Sequence, residues 1–435
     1  MTNAIRTVLV CAALAVCWGS PAHAFKTLVT FEQSNGEDVF AGPIQATDGT
    51  IYGTTTYGGT ANYGVAYSLS AKGKYNVIYN FCAQANCADG EYPVWLTQGA
   101  DGNLYGQTYQ GGAKNEGTIF ELTVGGTLTT LYSFCAKNNC TDGALPQSAL
   151  VQTSDGTFYG TTVIGGKNNQ GTIFKFSPSA GLTTLYSFCS QSGCTDGTQP
   201  NIGLTLASDG NFYGTAAEGG KFNPCTSGCG TLFRITPAGK FTTLYTFCSQ
   251  TKCADGYTPQ GLLVEDGHGN LYGTTDVGGT ATLGTAFKIS LKGKFTTLHS
   301  FDGKDGIIPY AGLTLATDGN FYGTTDSGGS REYGTVYRMT PSGAVTDVYD
   351  FDDQASGGIL TASVLQTRDG KIYGGTQQGG DHNCDSIGCG TLFLLKAKKS
   401  PGAGARESSA DRWQATRANA AIPVSPLGAR STALP

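Results

Sequence analysis

One phrase, written seven times, restricts what this chain can fold into more than anything else in it. Its clearest copy runs Asp155-Gly156-Thr157-Phe158-Tyr159-Gly160-Thr161-Thr162, then two free positions, then Gly165-Gly166. The phrase returns with its tyrosine at Tyr52, Tyr105, Tyr213, Tyr272, Tyr322 and Tyr373, at spacings of 53, 54, 54, 59, 50 and 51 residues. A repeat of about 50 residues with β-type sequence marks a propeller whose blades are four-stranded sheets.

One unit reads as four strands. Ser148–Thr153 is the first, Thr157–Thr162 the second, Gly171–Phe176 the third and Leu182–Phe188 the fourth. The third strand recurs seven times down to Thr391–Leu395, where the last unit stops. The fourth recurs seven times only if its first copy is the N-terminal Lys26–Phe31. The expectation is an all-β, seven-bladed propeller in which the N-terminal strand closes the last blade and abolishes the open edges. The 65 glycines then serve as punctuation between many short strands.

The N-terminus has the make-up of an export signal: Arg6, an apolar run from Val8 to Trp18, and Ala22-His23-Ala24 as a small-x-small cleavage site. Leu14-Ala15-Val16-Cys17 offers a rival lipoprotein reading, with bulky Val16 where a small residue is normal. Residues 1–24 are therefore expected to be the signal, 25–395 the propeller, and 396–435, without repeat or periodicity, a disordered basic tail. No later apolar run is long enough to cross a membrane as a helix.

Past the signal, twelve cysteines form six close pairs: Cys82/Cys87, Cys135/Cys140, Cys189/Cys194, Cys225/Cys229, Cys248/Cys253 and Cys384/Cys389. An even count in an exported chain reads as disulfides. The rival is metal ligation, which needs two pairs to converge in an intracellular protein. The tail carries seven basic residues and two acids, so the propeller body is strongly acidic. That argues against nucleic acid, whose phosphates need clustered Lys and Arg.

The unit Asp-Gly-Asn-Phe-Tyr-Gly-Thr-Thr…Gly-Gly…Tyr-Gly-Thr-Val-Tyr, as at Asp318 to Tyr337, resembles the Gloeo/Verruco (GloVer) tandem repeat of exported bacterial proteins. The resemblance extends over Phe25 to Leu395 and implies an exported, propeller-like array. It brings no catalytic motif to positions of this chain. The Asp-Gly-Asn-aromatic turn is also similar, more weakly, to that of the streptogramin lyase propellers, whose histidine-centred site has no match here.

Link lengths separate the two faces of the ring. The links between strands one and two, and three and four, are tight turns; the others are longer, and all six cysteine pairs fall in them. Successive links alternate sides in an antiparallel blade, so disulfides and variation share one face. Protection of exposed loops is the plain role for the disulfides there. On that face the two residues before each Gly-Gly vary freely, supplying Tyr57, Tyr109, Glu218, Asp276, Asp326 and Gln377 as candidate binding residues. Such groups stack on and hydrogen-bond to sugars or peptides without net charge; ordinary loop solvation is the plain alternative. His382, beside Asp381 and Cys384, is the one histidine on this face; His268 and His299 occupy repeat positions of an aspartate and a tyrosine.

A second acidic set, Asp89, Asp142, Asp196, Asp255 and Asp305, each precedes a glycine. Ca²⁺ ligation and turn formation are both open to it, and one carboxylate per blade favours the turn. No hydrolase elbow, zinc-protease or phosphate-loop motif occurs. The expected function is a monomeric, non-catalytic exported module binding carbohydrate or an extracellular protein on the loop face, with no cofactor. The alternative is a polysaccharide hydrolase or lyase acting through carboxylates such as Asp276 with Asp326.

Overall fold

The computed structural model describes residues 24–352, 356–380, 384 and 388–396. Apart from Ala24 and Lys396, the expected export signal and basic tail lie outside them, as does His382. The described residues build seven four-stranded antiparallel sheets. Blade one comprises Ile44–Gln45, Ile51–Thr55, Val65–Leu69 and Tyr75–Asn80, and blade two Glu91–Gln98, Leu104–Gln110, Thr118–Leu122 and Leu128–Ser133. Blades three to six repeat this order, ending in Gly181–Ser187, Phe241–Thr246, Phe295–Ser300 and Val345–Asp350. Blade seven holds Leu365–Gln366, Ile372–Gly375 and Thr391–Lys396 from the C-terminal end and takes Ala24–Thr30 as its outer strand, with Phe25 opposite Leu395. The ring closes as the strand count requires.

The phrase repeats because each of its letters meets a partner inside the blade. The glycine after the tyrosine lies opposite an aromatic residue of the third strand: Gly106 opposite Phe120, Gly160 opposite Phe174, Gly273 opposite Phe287. A Cβ on Gly106 would stand 2.5 Å from the Phe120 ring and 2.9 Å from the Trp95 carbonyl. The aromatic therefore lies flat over the second strand, where any side chain would displace it. The tyrosine itself donates its hydroxyl to the turn aspartate, as Tyr105 does to Asp101 at 2.9 Å and Tyr213 to Asp209 at 2.8 Å. The closing threonine of the phrase bonds to the threonine that opens the third strand, Thr162 to Thr172 and Thr275 to Thr285, at 2.8 Å each.

Blades join through the first strands and through the tight turns of one face. Thr97 Oγ1 donates to the Leu150 carbonyl and Thr205 Oγ1 to that of Leu263, both at 2.6 Å. Gln98 accepts the N–H of Thr47, Gln152 that of Ala100, Glu265 that of Ser208, Gln366 that of Thr317, and Gln45 that of Arg368. The last of these spans the closure between blades seven and one.

Two expectations need correction. The first strand of blade three is only Val151–Gln152, shorter than Ser148–Thr153. The stretch before it turns to its neighbours instead: Ser148 Oγ accepts the Thr161 N–H, and Ala149 bridges in parallel to Gly203 of blade four. His268 does not take the place of the turn aspartate. That turn is longer, and Asp266 receives the N–H groups of His268 and Asn270 and the Tyr272 hydroxyl.

Candidate functional site

All six cysteine pairs among the described residues are disulfides. The sulfurs of Cys225, Cys229 and Cys248 gather within 4.8 Å, the convergence that metal ligation would need, but each is spent in an S–S bond. Four of the bridges belong to a repeated loop. Cys87, Cys140, Cys194 and Cys253 each present their carbonyl to the second glycine of the next Gly-Gly, at 2.8–3.0 Å. The long links of the two kinds therefore lie together on one face.

Cys248–Cys253 of a repeated loop is buried at both cysteines, and the remaining two bridges, Cys225–Cys229 and Cys384–Cys389, likewise correct the picture of disulfides that guard exposed loops. Cys229 and Cys389 are fully buried, and Cys384 is nearly so. Each second cysteine stands just before the glycine that leads into a third strand, so it enters the blade with the strand. A cystine sulfur is apolar and loses little by leaving water. Cys389 packs with Phe31, Val39 and Leu392 where blade seven meets the N-terminal strand. Its carbonyl accepts the Asp38 N–H at 3.1 Å, as that of Cys229 accepts the Thr258 N–H at 3.0 Å. Cys389 is thus a core residue that braces the inner rim, with no surface to offer a ligand.

The Asp-Gly aspartates hold the four repeated loops. Asp142 Oδ2 accepts the Tyr132 hydroxyl at 2.6 Å and the Ala136 N–H at 2.9 Å, while Oδ1 accepts the Lys137 N–H at 3.1 Å. Asp89, Asp196 and Asp255 repeat the pattern, and all four are fully buried. In blade five His299 stands where the tyrosine stands elsewhere and meets Asp305 at 2.5 Å. Both oxygens of each carboxylate thus face protein donors, which is the work of a turn staple.

Seven residues on the loop face have left-handed backbone, Tyr92 inside the first strand of its blade and Asp38, Leu145, Gln199, Thr258, Ile308 and Ile359 before theirs, with φ from 51° to 63°. Such φ values are costly for non-glycine residues, β-branched ones above all. Phe40 and Tyr310, from the links before blades one and six, meet across blade seven with ring centroids 6.0 Å apart. Asn201 of blade four donates to Gln260 Oε1 of blade five at 2.6 Å.

Of the sequence candidates, Asp276 and Asp326 hold equivalent places in blades five and six, their N–H groups on the Thr258 and Ile308 carbonyls. Asp276 is 7% exposed, its Oδ1 has no hydrogen-bond partner, and the Gln260 side chain bonds to it. Burial, with the Asp326 charge adding to it, pushes its carboxyl up to about 8. Burial also raises Asp326, and the hydroxyl of Tyr310 is raised by burial and by both carboxylates. Glu218 stands apart, accepting from Gln199 Nε2 at 2.8 Å, with its own carboxyl raised by burial.

Tyr109 and Gln377 hold the register position of Asp276 and Asp326, and Tyr57 that of Glu218. Tyr57, 41% exposed, meets Tyr92 edge to face at 5.4 Å, and Tyr92 meets Tyr63 likewise at 5.4 Å. Glu37 pairs with Tyr57 through both backbone bonds, and the Glu91 carboxyl acts on the Tyr92 hydroxyl. Tyr109 is half-buried on blade two. Gln377 bonds through its side chain to Asp38, whose carboxyl burial drives up to about 7. Asp38, Asn201, Gln260 and Tyr310 were not among the sequence candidates. The signal for Asn201, Gln260 and Tyr310 is the residue two places beyond the left-handed position, here after a proline, which changes from blade to blade as the pair before Gly-Gly does; Asp38 is itself a left-handed residue.

Among solved structures the chain is similar to an extracellular domain assigned to a one-component system of B. thetaiotaomicron, with TM-score 0.52 and 11% identity over 85% of this chain. It spans 40% of that protein's length. A protein of Bacteroides uniformis assigned as a 6-phosphogluconolactonase aligns at 15% identity and TM-score 0.46, over 71% of this chain and 83% of its own. At these identities the likeness concerns the fold. No curated protein matches the chain. The Gloeobacter/Verrucomicrobia repeat model matches residues 19–227 and 199–401. The chain belongs to the Gloeobacter/Verrucomicrobia repeat family.

Proposed function

We propose that this protein is an exported, non-catalytic binding module that recognises neutral carbohydrate on the disulfide-bearing face. The observation that carries the reading is the Tyr57–Tyr92–Tyr63 cluster, three rings in edge-to-face contact with Tyr57 open to solvent. Tyrosine faces stack on the C–H surface of a pyranose at small cost in rotamer entropy, and the hydroxyls add hydrogen bonds. Glu37 and Glu91 border the cluster as acceptors for sugar hydroxyls. A protein partner would need a patch of about 800 Å² per side with an apolar centre, larger than three rings and two acids provide. The six disulfides and the leader-like N-terminus support export. Binding of the full chain to a neutral-polysaccharide array, lost in Tyr57→Ala and Tyr92→Ala while both stay folded, tests the proposal.

The second reading, hydrolysis through Asp276 and Asp326, is favoured by their equivalent places in blades five and six and by the raised Asp276 carboxyl. It requires a sugar to reach Asp276, which is only 7% exposed. Release of reducing ends by the wild type and its loss in Asp276→Asn would favour that reading over binding alone.

A further inference from the structure

Two disulfides at blade four share one cluster of sulfur. The Sγ atoms of Cys225, Cys229 and Cys248 lie within 4.8 Å of one another, although Cys225–Cys229 and Cys248–Cys253 are separate bridges. Among the described residues no other bridge has a third cysteine sulfur so close. The backbones meet there as well. The third and fourth strands pair Thr231 with Thr246, and the Phe247 N–H donates to the Gly230 carbonyl at 3.0 Å, so the same register brings Cys229 opposite Cys248. Residues opposite each other in an antiparallel pair have the Cα separation that a disulfide needs. Access is uneven: Cys225 is half-buried on the otherwise exposed 221–227 loop, whereas Cys229, Cys248 and Cys253 are buried. From that loop Lys221 donates Nζ to the Cys248 carbonyl at 2.7 Å. An ammonium near a thiol favours the thiolate, the form that exchanges.

We propose that these four cysteines form a thiol–disulfide exchange site whose substrate is an external low-molecular-weight thiol. Cys225, the sulfur nearest solvent, takes the first attack. The external thiolate bonds to Cys225 Sγ, the Cys225–Cys229 bond breaks, and its electron pair leaves on Cys229. The Cys229 thiolate then attacks Cys248 Sγ. A Cys229–Cys248 bond forms, the Cys248–Cys253 bond breaks, and Cys253 leaves as a thiolate that takes up a proton. A second external thiolate attacks the mixed disulfide at the external sulfur and frees Cys225. Two external thiols thus become one disulfide, and the protein keeps the Cys229–Cys248 bridge with thiols at Cys225 and Cys253. The 221–227 loop, which carries Phe222 at 48% exposure, loses its covalent tie to the blade, while the third and fourth strands gain one. The tyrosine cluster lies on blades one and two and takes no part, so this site is independent of the carbohydrate reading.

The test treats native full-length protein with increasing free cysteine, quenches with N-ethylmaleimide, and maps thiols and bridges by mass spectrometry after denaturation. Trypsin cleaves after Lys221, Arg234, Lys240 and Lys252, so Cys225 and Cys229 share a peptide while Cys248 and Cys253 fall on separate ones. The first product expected carries maleimide or cysteine on Cys225, maleimide on Cys253, and a link from Cys229 to Cys248. Cys225→Ser, prepared without added thiol, starts the same exchange from its unpaired Cys229, and is expected to hold Cys229–Cys248 with Cys253 free. Far-UV circular dichroism verifies its fold, and the wild-type map decides the matter even without the variant. Label on both Cys225 and Cys229 with Cys248–Cys253 intact, earlier opening of any other bridge, or an intact Cys248–Cys253 bridge in folded Cys225→Ser overturns the assignment.

Discussion

Tyr186 donates its hydroxyl to Asp196 Oδ2 at 2.6 Å, and the same carboxylate receives the N–H groups of Ser190 and Gln191. One side chain thus ties the outer strand of blade three to its disulfide loop. Asp196→Ala strands two N–H groups and a hydroxyl in a fully buried place, and is expected to cost about 3 kcal/mol. Tyr186→Phe removes one of the three donors and is expected to cost about 1 kcal/mol. Urea unfolding of both variants checks the ratio. Equal losses would mean that the loop, not the carboxylate, holds the blade.

The close approach at Gly106 supplies a second measurement. Gly106→Ala forces a methyl against Phe120 and the Trp95 carbonyl, and is expected to destabilise by about 2 kcal/mol. Gly125 has nothing nearer than 3.8 Å to an added Cβ and no left-handed backbone. Gly125→Ala is expected to leave the unfolding midpoint unchanged or to raise it slightly. Matching losses at the two sites would refute the packing explanation of the repeat.

Ring closure depends on Phe25. It stacks on Tyr349 with centroids 4.0 Å apart and meets Phe351 and Phe393 at 5.7 Å each. Phe25→Ala is expected to cost about 2 kcal/mol, below the range for a fully enclosed phenylalanine because the residue is half-buried. Limited proteolysis should then cut first at the N-terminal strand. First cleavage within blades three to five would contradict a closure at this seam.

Asp38 gives stability a pH dependence with a definite sign. Its carboxyl titrates near 7 in the folded chain because of burial, with Glu37 adding to the rise, against about 3.9 when unfolded. Between these values the folded protein holds a proton that the unfolded chain has released, so this contribution is complete below about 4 and is lost as pH rises toward 7. Asp38→Asn removes the loss. The variant should gain on the wild type by on the order of 3 kcal/mol between pH 4 and pH 8. Parallel melting-temperature profiles of the two proteins would refute it.

The sequence revealed the blades because every blade must solve the same packing problem with the same letters: Gly106 under Phe120, Tyr105 on Asp101, Thr162 on Thr172. It revealed the closing strand because strand counts had to balance. Cysteine spacing told which sulfurs pair but not their depth, since burial of Cys389 depends on the third strand it leads into. The candidate site was legible only in part. Asp276, Asp326 and Tyr57 stand out because they vary inside a fixed phrase. Their partners Gln260 and Tyr310 come from the links before the first strands, and Tyr92 from the start of one, each at or two places beyond a left-handed residue. That conformation is a backbone property carried by Asp, Tyr, Leu, Gln, Thr and Ile alike, so no common letter announces it.

The central claim, recognition of sugar by the tyrosine cluster, is tested most directly by the affinity of the full chain for a neutral polysaccharide that it retains, measured for the wild type, Tyr57→Ala and Tyr92→Ala. Loss of one stacking ring is expected to weaken binding at least tenfold in each variant, about 1.4 kcal/mol, with melting temperatures within a degree or two of the wild type. Undiminished affinity in both folded variants would contradict the account.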